Sequence, residues 1–281
     1  CINIIISKSG DTLETIINSN ILINKNKKNN IFIVEDNKNY LRSLASKLES
    51  EIYDHKNFIG GRYSVLSEVG MLPAELMGLN KEKFKKYNYF LKNKNFLNSL
   101  IENVNQTLSL INNKKYNSII LNYDEGSENL FKWYQQLLAE SLGKKSKGIL
   151  PFVSSMPKDN HSMLQLYLDG PKNNFFTFFD VFNKKSEKIC KSSLLKSHSY
   201  LKNKSVNEII FAQRLATEKI FIKKKIPFRS FYLRKKNEET LGELFTFFIL
   251  ETILLGKAMK INPYNQPAVE LIKKETKKNL I

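Results

Sequence analysis

Glu140 and His161 are the residues of this sequence best suited to moving protons, and one stretch, Asn129 to Gly170, carries both. A carboxylate held within hydrogen-bond reach takes a proton from a carbon beside a carbonyl, and an imidazole gives or takes one near neutral pH. Each also has a plainer reading. A glutamate at a helix end is ordinarily a solvated charge, and a loop histidine is ordinarily a hydrogen-bonded surface group. Other stretches offer groups that bind rather than react. Ser7-Lys-Ser-Gly-Asp-Thr12 gathers hydroxyls, one lysine and backbone amides freed by Gly10. That set suits a phosphate dianion, or it simply caps the following helix. Gly60-Gly-Arg62 lets a backbone approach a ligand while a guanidinium reaches over it, and equally fits a turn with a surface arginine. In the tail, Gln266 lies beside two prolines, Pro263 and Pro267, that introduce a final short helix containing Lys273.

The elements that must position these groups follow from apolar spacing. Leu130, Trp133, Tyr134, Leu137 and Leu138 recur at helical intervals, which puts Glu140 on a last turn near the margin of the buried stripe, before Gly143 stops the helix. Gly148 to Val153 reads as a buried strand, and Asp159-Asn-His161 as a polar loop after it. Earlier, Ile2 to Ile6 reads as a strand, followed by the hydroxyl-rich loop and a helix marked by Leu13, Ile16 and Ile17. Asn30 to Val34 is a strand and Asn39 to Leu48 a helix. Lys81 to Ile111 shows helical spacing and bridges into a second domain. That domain has strands at Ile119–Tyr123, Phe175–Phe182 and Phe228–Leu233, with helices at Asn207–Phe221 and Leu241–Met259. The alternation predicts an α/β chain of two domains.

Composition narrows the function classes. At 281 residues and 42% apolar, the chain is long enough for one large or two modest cores. Lys+Arg exceed Asp+Glu by 45 − 27 = 18, but lysine and asparagine crowd every loop, so the charge forms no concentrated patch. Two cysteines permit no zinc finger and no disulfide framework, and no aromatic-basic RNA motif is present. The most apolar helix carries Glu251 and Lys257 and is too short to span a bilayer. These points predict a cytoplasmic protein in a reducing compartment, with no nucleic-acid or membrane partner. The opening on Cys1 and a strand, without methionine, leads us to expect an absent N-terminal portion.

In order along the chain, four segments resemble phosphoglucose isomerase of the shorter bacterial kind. They are Ser7-Lys-Ser-Gly-Asp-Thr-Leu-Glu-Thr15, Gly60-Gly-Arg-Tyr-Ser-Val-Leu-Ser67, Glu140-Ser-x-Gly-Lys with Asp159-x-His-Ser-Met163, and Asn265-Gln-Pro-x-Val-Glu270 with Lys273. The resemblance implies two sugar-isomerase (SIS) domains, each a parallel sheet flanked by helices, with a helical C-terminal tail. It implies the later part of the first domain at 1–78, the second at 79–235, and a tail at 236–281 packing back on the active site. It further implies interconversion of glucose 6-phosphate and fructose 6-phosphate through a cis-enediol, a step of glycolysis and gluconeogenesis. By matching position, Glu140 is the base, His161 the ring-opening group, Arg62 the group facing the enediolate, and Lys273 and Gln266 the tail contacts. Ser7, Ser9 and Thr12 bind the phosphate, with Lys8 and Gly61 alongside. The family needs no cofactor and no metal, and works as a homodimer in which the histidine crosses from the neighbouring subunit. Family members commonly have threonines at Pro157 and Lys158, and glycine at Leu164 and Ala268. Two alternatives stay open: an enzyme that also accepts mannose 6-phosphate, and a non-catalytic SIS module that senses a sugar phosphate.

Overall fold

The computed structural model describes residues 2–25, 29–182, 186–190, 192 and 194–281. Cys1 lies outside the described residues, and Cys190 is exposed, its Sγ 3.1 Å from Ser192 Oγ. The chain forms two compact units. One takes in the chain through Asn93 together with Leu241–Ile249; the other is Lys94–Thr240 together with Leu250–Ile281. Residues 79–93 therefore group with the first unit, and 236–281 is divided between the two.

In the first unit, β1 (Asn3–Ile6), α1 (Leu13–Lys25), β2 (Asn30–Glu35), α2 (Tyr40–Lys47) and β3 (Glu51–His55) build a parallel sheet in the order β1-β2-β3. Ile4 stands opposite Ile31, and Ile33 opposite Tyr53. Parallel neighbours cannot be joined by a hairpin, so each connection is a helix, and Ile5, Ile23, Phe32, Leu41 and Ala45 form the core between helices and sheet. β3 escapes the apolar-pattern reading because Glu51, Asp54 and His55 interrupt it, which an edge strand tolerates. A 3₁₀ turn at Gly61–Leu66 leads into α3 (Glu68–Leu76), α4 (Lys81–Phe84) and α5 (Tyr87–Lys92). The helical pattern expected over Lys81–Ile111 thus breaks into pieces. Asn80 caps one, extended Asn93 ends another, and Phe84 and Phe90 are each buried.

The second unit contains α6 (Lys94–Asn112), β4 (Asn117–Asn122), α7 (Glu128–Leu142), β5 (Leu150–Ser155), α8 (Leu164–Asp169), β6 (Asn174–Val181), α9 (Val206–Lys223), β7 (Phe228–Leu233) and α11 (Val269–Asn279). α10 (Glu238–Ala258) contributes Leu241–Ile249 to the first unit and its remaining residues to the second. The sheet is parallel throughout, in the order β5-β4-β6-β7. β6 is interior and buried on both faces, which accounts for its unbroken aromatic run. On one face Phe176 and Phe178 meet Phe221 edge-on at 4.8 and 5.3 Å, and on the other Phe179 meets Phe131 at 4.7 Å. Burying each such ring stabilises the fold by about 1.5–3 kcal/mol. The strand expected to be buried at Gly148–Val153 runs from Leu150 to Ser155 and is half exposed, because it is the edge of the sheet; Leu150 is 65% exposed.

A polar cluster ties α6, α7, β7 and the second part of α10 together. Glu251, 1% exposed, accepts hydrogen bonds from Asn103 (2.9 Å), from Tyr134 (2.7 Å) and, in a short contact, from Arg229. Arg229 also donates to Thr177 and to the Tyr134 hydroxyl, both at 2.9 Å. Burial first, and then the Glu251 charge, push the Tyr134 hydroxyl up, so it stays a donor. Among the described residues no helix is long and apolar enough to cross a membrane.

Candidate active site

The hydroxyl-rich loop leaves the C-terminal end of β1 and enters α1. Ser7 is buried, its N–H donates to Ile33 O at 3.1 Å, and its Oγ lies 2.9 Å from Thr12 Oγ1. Gly10 gives the loop its shape. Its φ of +69° is a left-handed conformation that glycine adopts without strain, and a Cβ there would stand 1.9 Å from Asn39 Oδ1. The start of α2 locks the turn from outside. Leu41 N–H donates to Gly10 O at 3.0 Å and Tyr40 N–H to Asp11 Oδ1 at 3.0 Å. Two hydroxyls therefore face each other in front of the positive end of a thirteen-residue helix, an arrangement complementary to a phosphate dianion. Ser9 is exposed and accepts from Asp11 N–H. Lys8 turns to Glu35 at 3.3 Å and to Asn57 O at 3.0 Å.

In the same unit, Gly60 and Gly61 open the 3₁₀ turn that presents Arg62. A Cβ on Gly61 would meet nothing within 4 Å, so space lies open beside that backbone. Arg62 is 7% exposed, with its guanidinium carbon 5.3 Å from the centre of the Tyr63 ring. Ser64 Oγ donates to Gly61 O at 2.6 Å, and Ser67 Oγ to Ser64 O at 2.8 Å, tightening the turn on both sides of the arginine.

In the second unit, Glu140 is half buried on the last turn of α7 and accepts from Gln136 Nε2 at 3.0 Å. Gly143 ends that helix with φ −74°, not with the left-handed cap its type suggests; glycine is needed because a Cβ would press within 2.7 Å of Ala139 O. Lys145 and Ser146 then take left-handed conformations in a tight turn closed by Lys144 and Lys147. Lys144 reaches the tail, donating to the carbonyls of Asn262 and Asn265, next to Gln266. This clamp is not among the functional residues expected from sequence, although Lys144 belongs to the Glu140-Ser-x-Gly-Lys motif. A cleft of about 1110 Å³ bordered by Ala139, Gly143, Ser146 and Lys260 opens at this end of the unit. Lys273 is placed differently. It lies on α11, which has no buried residue, and pairs with Glu270 at 2.7 Å on the same exposed helix.

His161 is exposed and stands beyond the other end of β5, after a single 3₁₀ turn at Lys158–Asn160. Asp159 anchors that turn by accepting from Ser154 Oγ (2.7 Å), Ser155 N–H (2.9 Å) and Ser162 Oγ (2.8 Å). Burial works against its charge, but these donors hold the Asp159 carboxyl below the usual carboxylate range. α7 runs antiparallel to β5, so Glu140 lies near the strand's N-terminal end and His161 past its C-terminal end. Six strand residues at roughly 3.3 Å each separate them by about 20 Å. Within one chain the carboxylate and the imidazole are not brought together. Among the described residues no three His, Cys, Asp or Glu side chains gather as metal ligands.

A family model for phosphoglucose isomerase matches residues 1–280. The glucose-6-phosphate isomerase of Mycoplasmopsis pulmonis is 33% identical over 96% of this chain and 67% of its own length. A relative in Methanococcus maripaludis is 34% identical over 96% of this chain and 63% of its own. The chain thus spans 63% and 67% of the length of these two curated relatives. The solved structure of a glucose-6-phosphate isomerase from Chlamydia trachomatis shares the fold, with a TM-score of 0.76 at 17% identity over 99% of this chain and 59% of that one.

Proposed function

The chain belongs to the phosphoglucose isomerase family, and on that premise we propose that it interconverts glucose 6-phosphate and fructose 6-phosphate through a cis-enediol. The observation that carries the proposal is the match across residues 1–280, within which Glu140, His161, Arg62 and the Ser7–Thr12 loop all keep chemically competent side chains. Glu140 is the base. One carboxylate moves a proton between adjacent carbons of the open sugar, and its place on a helix end beside the clamped Lys144 turn gives it a defined position. Arg62 meets the negative charge that grows on the enediolate oxygens, so it stabilises the transition state more than the ground state. The Ser7, Ser9 and Thr12 hydroxyls and the α1 terminus receive the phosphate, with Lys8 and Gly61 alongside. That remote handle fixes the reacting carbons. Gln266 and Lys273 supply contacts from the tail.

His161 opens the sugar ring by delivering a proton to the ring oxygen, and it does so for the neighbouring subunit of a homodimer. The separation of about 20 Å from Glu140 along β5 supports this reading, as does the exposure of the imidazole. The enzyme acts in the cytoplasm, within glycolysis and gluconeogenesis. The test is a coupled assay of glucose 6-phosphate formed from fructose 6-phosphate. Glu140→Gln should lower kcat by about 10²–10⁴-fold while sugar-phosphate binding survives. A parent chain that binds the sugar phosphate without turning it over would replace this proposal with a sensing module.

A further inference from the structure

The first unit holds a buried histidine for which the proposed chemistry has no role. His55 closes β3, is 2% exposed, and has acceptors at both ring nitrogens. Nδ1 makes a short hydrogen bond with Glu68 Oε1, and Nε2 lies 3.1 Å from Ile59 O. A neutral imidazole has one N–H and cannot satisfy two acceptors, whereas an imidazolium donates to both. Burial opposes charge on Glu68, but its own backbone N–H, the His55 ring and the Lys56 N–H together hold its carboxyl low. The ring is thus tied to an acceptor at each of its nitrogens.

The positions of the two acceptors matter more than the charge. Ile59 ends the turn after β3, its N–H donating to Lys56 O at 3.0 Å, and Glu68 is the first residue of α3. Between them runs Gly60 to Ser67, the segment that presents Arg62. One imidazole thus gathers the two ends of that segment and fastens both to the end of a sheet strand. At the far side of the segment, Gly70 packs so closely under Val65 that a Cβ would stand 2.0 Å from its carbonyl oxygen. The segment has little freedom to re-form elsewhere once its ends are fixed.

We infer that His55 is a positioning residue for Arg62, acting through its paired hydrogen bonds to Ile59 and Glu68. This rests on the role proposed above for Arg62. His55 touches no substrate; it sets the guanidinium where the enediolate charge develops. Loss of the clamp should leave phosphate binding, which belongs to the Ser7–Thr12 loop, largely intact.

The experiment compares His55→Phe, which keeps a ring but loses both hydrogen bonds, with His55→Gln and Glu68→Gln, each keeping part of the clamp. Isomerisation kinetics on folded protein are read beside the affinity for an aldonic acid phosphate, whose planar carboxylate mimics the enediolate. His55→Phe should lower kcat and the affinity for that mimic by roughly 10–100-fold, with KM for fructose 6-phosphate within about twofold. His55→Gln should recover part of the loss. Should His55→Phe fail to fold, His55→Gln and Glu68→Gln decide by the same readouts. Variants that melt earlier but keep kcat and mimic affinity would overturn the inference, leaving His55 a purely structural group. A parent that neither isomerises nor binds the mimic would overturn the proposed function, and this inference with it.

Discussion

The separation of Glu140 and His161 leads to a prediction about mixed dimers. Glu140→Gln removes the base and His161→Ala removes the ring-opening group, and each variant alone should retain about 1% or less of parent activity. In the proposed homodimer, with about 20 Å of β5 between the two residues, one complete site takes Glu140 from one subunit and His161 from the other. Co-expressing the two variants in equal amounts gives, by random pairing in a closed two-fold dimer, about half mixed dimers. In each mixed dimer one site carries both defects and the other carries neither. In dimers carrying both tags, all of them mixed, activity should then recover to about one half of the parent value per dimer, at least tenfold above either variant. The assay is fructose 6-phosphate turnover on dimers co-purified through two different affinity tags, and a fructose 6-phosphate concentration series checks that recovery is in kcat. If mixed dimers stay as inactive as the two pure variants, each site draws both residues from one subunit, and the reasoning from β5 is refuted.

Three further outcomes follow from the same contacts. Glu251→Ala strands Arg229, Tyr134 and Asn103 in the interior and should destabilise the protein by about 3–5 kcal/mol in urea unfolding; replacing Glu251 and Arg229 together by leucine and methionine should cost much less. Gly10→Ala forces a left-handed alanine against Asn39, whose side chain caps α2 through Arg42 N–H at 2.9 Å. It should cost about 2 kcal/mol and weaken fructose 6-phosphate binding at least tenfold, as read by calorimetric titration. Glu68 has a folded pKa below its unfolded value, so its contribution to stability is complete above about pH 4.5 and is lost as pH falls through the lower folded value. Melting temperatures followed from about pH 6 to pH 3 should therefore drop more steeply for the parent than for Glu68→Gln.

Much of the fold is legible where one periodicity dominates. The aromatic run of β6 announces a doubly covered strand, and the limits of β7, Phe228–Leu233, are those its pattern predicts. The Ser7–Thr12 loop is legible because a strand, a small-residue turn and a helix follow one another without interruption. What escapes depends on contacts distant in sequence. β5 reads as buried from its apolar content, yet its place at the sheet edge leaves Leu150 and Phe152 in solvent. Glu140 and His161 look like neighbours along the chain, and only the antiparallel passage of α7 over β5 shows them to be at opposite ends. His55 carries no signal at all, since its two partners are drawn to it by the fold of the turn between them.

The most direct test of proton transfer by Glu140 is isotope exchange. Fructose 6-phosphate is incubated with the protein in heavy water, and deuterium at the carbon beside the carbonyl is followed by proton NMR. A carboxylate base that releases its proton to solvent during the life of the enediol places deuterium in recovered substrate and in product, and Glu140→Gln should abolish both exchange and isomerisation while fructose 6-phosphate still binds. Isomerisation or solvent deuterium exchange that persists at the parent rate in Glu140→Gln would contradict the assignment of Glu140 as the base that forms the enediol.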